Sequence, residues 1–195
     1  TRGDASIEKG AANAQTFQQM LAAARAEHPT AHIVIKTHPE TQLGYRAGHF
    51  SAEALDDDME LLTHAIAPQD LFAAAHAVYT VTSQMGFEAI WAGHRPVVFG
   101  QPFYAGWGLT RDVQPIHRRG RSLTSAQIFA GAMMLYPKWY DPCRDTLCSL
   151  EHVLDQLEAE TRAWRDDNTG WEARGISLWK RQPLQKFFGR HHPLR

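Results

Sequence analysis

No apolar run in this sequence approaches the ~20 residues that a membrane-spanning helix needs, and no secretory leader is visible. Net charge is scarce too. Twenty Lys and Arg stand against 21 Asp and Glu, for a formal charge of −1, so no overall field recruits nucleic acid. The two cysteines, Cys143 and Cys148, supply neither a zinc set nor a disulfide framework, and reduced thiols in a cytoplasmic protein are the expected state. Eleven histidines occur without an H-E-x-x-H pattern or a tight His/Cys cluster, which argues against a metal centre. No internal repeat is present. The chain opens at Thr1 without a Met, which suggests a piece of a longer protein.

What is present is 195 residues, 44% of them hydrophobic, enough for one sizeable domain or for one domain plus an appendage. The stretch Tyr79 to Asp112 organises the rest. Val78, Tyr79, Val81 and Thr82 suit a strand, Ser83 to Trp91 a helix closed by Gly93, and Pro96 to Phe99 the next strand. Upstream, the pattern predicts a helix over Ile7–Glu27 and a strand over His32–Lys36. It continues with a short acidic helix from a Ser51 cap through Leu62, a brief strand over Thr63–Ala67 and a helix from Pro68 to Ala75. This alternation predicts an α/β fold, with a parallel sheet and helices on both faces.

Downstream, Thr124-Ser125-Ala126-Gln127 has capping-box form and opens a helix to about Tyr136. Pro137 and Pro142 break the chain, and Leu147 to Arg165 reads as a further helix. The tail Ile176–Arg195 mixes Trp179, Phe187 and Phe188 with basic residues and either rests on an anionic membrane or packs on other protein. The expected organisation is a nucleotide-binding domain over 1–140 and a helical appendage over 141–195.

Ligands of open α/β sheets bind beyond the carboxyl ends of the strands. Three groups of residues fall there. His38-Pro39 leaves the first strand, with Pro39 keeping His38 extended. That imidazole either donates to a phosphate or satisfies a loop carbonyl. Ser83, Gln84 and Met85 offer backbone amides and a hydroxyl to a phosphate, and Glu88, acceptor-only, suits a ribose diol or a base amine. The plain alternative is an N-cap with a solvated glutamate. Asp4 precedes the first helix, as an N-cap or as a carboxylate nucleophile. The loop Gln101–Gly108 carries Tyr104 and Trp107, aromatics that stack on a sugar or base or fold on each other. Arg118 leads a basic run suited to carboxylate or phosphate.

These strings resemble a known family. TRGDASI, THPE, TSQMGFEAIWAG, PVVFGQPFYAGWGLTRD, LYPKWYDP and the terminal KFFG are similar to the bacterial capsular polysaccharide biosynthesis proteins of the KpsC type, which are β-Kdo glycosyltransferases. The resemblance covers almost all of the chain and places it in the second of two transferase modules. It implies the Rossmann-like donor-binding half of a GT-B-like glycosyltransferase, plus C-terminal helices. It implies CMP-Kdo as donor, no cofactor or metal, a lipid-linked saccharide acceptor, and an N-terminal half supplying acceptor-side residues. It implies a cytoplasmic location, peripheral on the inner membrane face. His38 and Pro39 match the family's CMP-binding His-Pro motif, Ser83 and Glu88 its nucleotide-side positions, and Asp4 the aspartate that is its candidate nucleophile. Another GT-B enzyme, such as a nucleotide-sugar epimerase, and a non-catalytic nucleotide-binding domain are the rival readings.

Overall fold

A computed structural model of the chain describes residues 1–51, 55–62 and 66–167. The first of two compact units, Thr1–Ile128, contains α1 (Ala5–Lys9), α2 (Ala14–Glu27), β1 (Ile33–Lys36), α3 (Pro39–Gln42), β2 (Met59–Leu62) and α4 (Pro68–Ala74). It continues with β3 (Tyr79–Thr80), α5 (Met85–Trp91), β4 (Val97–Val98) and β5 (Arg111–Asp112), and α6 (Ser125–Phe129) ends it. The second unit begins at Phe129.

Every strand pair in the first unit is parallel among the described residues, as the alternation predicts. Hydrogen bonding divides the strands into β1-β2 and β3-β4-β5 rather than one sheet. Successive side chains of β3 point to opposite faces. Val81, with Val97 and Phe99, is buried against Phe17, Met20 and Ala23 of α2, with Tyr79 at the edge of this cluster. On the other face Thr80 meets Gly86 of α5, where Phe87 and Ala89 are buried as well. The β3-β4-β5 sheet is therefore covered by a helix on each face.

Three elements differ from the sequence reading. The helix expected over Ile7–Glu27 is two helices. Gly10 ends the first, and Ala11 takes a left-handed φ of 57°. Asn13 caps the second, accepting from the amides of Gln15 (2.9 Å) and Thr16 (3.2 Å) while Thr16 Oγ1 accepts from the Asn13 amide at 3.0 Å. That reciprocal pair is a capping box, and such a box starts a helix rather than sitting inside one.

The acidic helix through Leu62 is also corrected. Met59–Leu62 is a strand that pairs with β1, with Met59 and Leu62 buried and Glu60 exposed. Asp56 and Asp58 form the turn before it, their carbonyls accepting from Met59 and Ile33. Pairing with β1 outweighs helix propensity here. The strand expected at Thr63–Ala67 falls partly outside the described residues. Finally, Arg111–Asp112, where no strand was expected, is the third strand of its sheet.

The second unit opens with a π-helical segment that continues from α6, Ala130–Leu135, where the Tyr136 amide reaches back to Gly131 O at 3.0 Å. An unpredicted antiparallel hairpin follows, β6 (Trp139–Asp141) with β7 (Thr146–Cys148). Asp141 is fully buried within it. The carboxylate accepts from the Cys143 amide (2.8 Å), the Arg144 amide (3.1 Å) and His152 Nε2 (2.8 Å). Gln156 first, then His152, hold this carboxyl well below its ordinary range. His152 belongs to α7 (Leu150–Asp167), so the buried carboxylate ties hairpin to helix. The basic aromatic tail lies outside the described residues, as does any membrane contact made by it.

Candidate functional site

The short helix α1 holds two strand-end loops together. Its carboxyl end abuts the ends of β3 and β4. Gly10 O accepts from the Gln101 amide at 2.7 Å, and a Cβ on Gly10 would come within 2.4 Å of Thr82 Cγ2. Gly100 is equally confined, 2.8 Å from both Thr82 Cγ2 and Val81 O by the same measure. Only residues without side chains permit this approach. At its amino end, the Arg2 amide donates to Ala47 O at 2.9 Å, which binds the Asp4 turn to the loop that follows β1 and α3. From Asp4 to Gly10 the helix rises about 9 Å. The loops carrying His38 and Ser83 are joined across that span.

Asp4 is the N-cap of α1, its Oδ1 accepting from the Ser6 amide at 2.8 Å. That bond lowers its pKa below the ordinary value, with a smaller contribution from Arg46. The Ser6 hydroxyl bonds the same carboxylate and adds to this lowering.

His38 is exposed. The Glu40 amide donates to its Nδ1 at 3.2 Å, and a backbone amide can only donate, so Nδ1 is the acceptor of the neutral ring and Nε2 carries the proton. Glu40 Oε2 lies 3.8 Å from His38 Nδ1 and 3.6 Å from Arg46 Nε. Pro39 opens α3, and its side chain is outside the described part of the structure.

Ser83 and Gln84 are exposed at the end of β3. Ser83 Oγ accepts from the Met85 amide at 3.3 Å, while the Ser83 and Gln84 amides have no acceptor among the described residues. Glu88 is half-buried one turn on, likewise without a side-chain partner there. Beneath this turn lies Tyr104, 0% exposed, whose hydroxyl donates to Ser83 O at 2.5 Å. Burial pushes its phenol well above the usual range, so it stays a neutral donor. Of the alternatives for this loop, the Tyr104 ring, with no exposed surface, fits folding within the protein, where it supports the Ser83 turn.

The rest of the aromatic loop is packed on itself. Trp107 Nε1 donates to Phe103 O at 2.8 Å, and the Arg119 guanidinium lies 5.4 Å from the Trp107 ring centre. Arg119 also donates to Pro102 O (2.5 Å) and Ala105 O (2.6 Å). Asp112 accepts from the Gly106 amide and the Thr110 hydroxyl. Arg118, singled out from sequence, is exposed with no hydrogen bond or ion pair among the described residues. Its neighbour Arg119 is the structural one. Sequence reasoning also missed Glu40, Arg46 and the pinch at Gly10. Gly10 could have been read from the Gly-x-x-Asn-x-x-Thr spacing ahead of α2.

Residues 1–137 match the family model described as capsule polysaccharide biosynthesis protein. This chain belongs to that family. Among its relatives, the capsule polysaccharide modification protein LipA of Neisseria meningitidis serogroup B is 38% identical over 96% of this chain, and the lipopolysaccharide-processing protein LpsZ of Rhizobium meliloti is 33% identical over 80%. The chain spans 28% of that LipA and 36% of LpsZ. Among solved structures, the family fold recurs in the KpsC β-Kdo 2,4 transferase of Thermosulfurimonas dismutans, with a TM-score of 0.74 and 39% identity. The match covers 80% of this chain and 49% of that one. The KpsC β-Kdo 2,7 transferase of the same organism gives 0.65 and 33%, over 82% and 51% of the two chains.

Proposed function

We propose that this chain is the donor-binding part of a glycosyltransferase that moves Kdo from CMP-Kdo to a saccharide acceptor during capsule biosynthesis. The observation that carries the reading is the 39% identity, over 80% of the chain, to a β-Kdo transferase of the same fold. The α/β architecture is that expected of one half of a GT-B-like enzyme, whose other half would supply acceptor contacts. A lipid-linked acceptor would bring the protein to the inner membrane face. No helix among the described residues is long and apolar enough to cross a membrane.

In this reading CMP lies beyond the carboxyl ends of the strands. Its phosphate takes the Ser83 and Gln84 amides and the His38 Nε2 proton, and Glu88 accepts from the ribose or the cytosine amine. These donors stabilise the charge that builds on the phosphate as it leaves. Asp4, kept ionised by the Ser6 amide, attacks the anomeric carbon as the bond to the phosphate oxygen breaks. An acceptor hydroxyl then displaces the carboxylate, giving up its proton to water. Two inversions retain configuration.

The test uses the full-length protein. Asp4→Asn should keep the helix cap and CMP affinity while transfer falls by about a thousandfold or more. Turnover at the wild-type rate removes Asp4 as nucleophile. A protein that binds UDP in preference to CMP would instead be an epimerase-like relative.

A further inference from the structure

Arg46 lies in a loop whose backbone is bonded both to the segment after His38 and to the turn before Asp4. The loop after α3 folds back on Glu40, with the Tyr45 and Arg46 amides donating to Glu40 O at 2.8 and 3.3 Å. The next residue, Ala47, receives the Arg2 amide at 2.9 Å, two positions before Asp4. Backbone hydrogen bonds therefore fix Arg46 on both sides, against the His38 segment and against the Asp4 turn. Its side chain is half-exposed at 50%. The one ion pair it makes among the described residues, Nε to Glu40 Oε2 at 3.6 Å, is too long for a hydrogen bond. All five guanidinium N–H donors are thus without an acceptor among the described residues. A guanidinium fork with unspent donors, held at a ligand edge, binds planar carboxylates bidentately.

We infer that Arg46 is a specificity-determining residue that reads the carboxylate of an acidic sugar donor. The inference rests on the proposed transferase reading and adds the residue that selects the sugar. In a 2-keto acid sugar such as Kdo, the carboxylate carbon is bonded directly to the anomeric carbon. The group that reads it must therefore lie near the attacking carboxylate, and the Arg2–Ala47 hydrogen bond holds the residue next to Arg46 against the Asp4 turn. Neutral sugars offer nothing at that position, and the uncommitted fork would face them unpaired. Glu40 is a positioning residue. Its carboxylate draws Arg46 towards the His38 segment, and its amide sets the tautomer of His38.

The experiment measures the KM for CMP-Kdo and the inhibition constant of CMP in the full-length protein, with melting curves alongside. Arg46→Gln should raise the donor KM about tenfold or more, since a charge-assisted bidentate contact is lost. CMP, which has no sugar, should inhibit within about twofold of wild type. Arg46→Lys should recover only part of the loss, because an ammonium has no fork. An unchanged KM in Arg46→Gln, an equal loss of CMP inhibition, or a wild-type KM in Arg46→Lys each overturns the inference. Should Arg46→Gln fail to fold, the Lys variant still decides. A wild-type protein that does not use CMP-Kdo removes the transferase reading, and this inference with it, before any substitution is made.

Discussion

At the amino end of the β3-β4-β5 sheet, charged and phenolic side chains close on one another. Tyr79 donates to Glu27 Oε2 at 2.8 Å and Arg111 pairs with the same carboxylate, so the end of α2 is tied to the first residues of β3 and β5. Burial, then Glu27, pushes the Tyr79 phenol up to about 12, and Arg111 holds Glu27 below its ordinary value. At the carboxyl end the materials are opposite. Gly10 and Gly100 keep the surface clear of side chains, and Ser83 and Gln84 present amides with no acceptor among the described residues. One end spends its polar groups on holding the fold. The other leaves them for a ligand, and its rigidity comes from below, through Tyr104 and Gly86. Stability and binding should therefore separate by sheet end.

The largest effect should come from the support beneath the open end. In Gly86→Ala the new Cβ would lie 2.2 Å from the Tyr104 hydroxyl, 2.7 Å from Tyr104 Cζ and 2.8 Å from Thr80 Cγ2. Tyr104 is fully buried and cannot swing aside, so unfolding in denaturant should show a loss of about 3 kcal/mol. A change under about 0.5 kcal/mol would mean that Tyr104 does not fix the turn.

At the open end itself, where the Ser83 hydroxyl can add its own O–H to the phosphate beside the two amides, Ser83→Ala should leave the melting temperature in place and weaken CMP about tenfold by titration calorimetry, the worth of one hydrogen bond to a charged group. Lost stability with intact binding would reverse the comparison. The smallest effect belongs to the closed end. Glu27→Gln should lower the melting temperature slightly and leave CMP affinity alone. Because Glu27 is held below its ordinary value of 4.5, its contribution is full above about that pH and fades as pH falls through the lower folded value. The gap between wild type and Glu27→Gln in acid melting curves should thus narrow from pH 5 downward. A constant gap would show that the Arg111 pair adds nothing through charge.

Much of the open end was legible because its signals are local. The strand, the turn at Ser83, α5 and the stop at Gly93, with φ of 90°, follow from residue type and spacing. The Thr124–Gln127 capping box is present as its spacing predicts, with reciprocal bonds of 2.9 and 3.2 Å. What was not legible depends on partners distant in the chain. Met59–Leu62 is a strand because β1 lies beside it, and the two residues of β5 pair because β4 does. The role of Tyr104 follows from a glycine 18 positions earlier that admits its ring. Arg46 gave no signal in a loop of ordinary composition, since its place is set by backbone bonds to Glu40 and by the Arg2–Ala47 tether.

The five residues of α1 act as a ruler between the two loops they join. Adding one residue would turn its first residue by about 100° and carry it about 1.5 Å further from Gly10. The distance from an attacking oxygen to a phosphate cradle would be written in the length of that helix. A relative that handles a longer or shorter activated sugar would then be expected to differ first in the count of residues between its aspartate and its glycine.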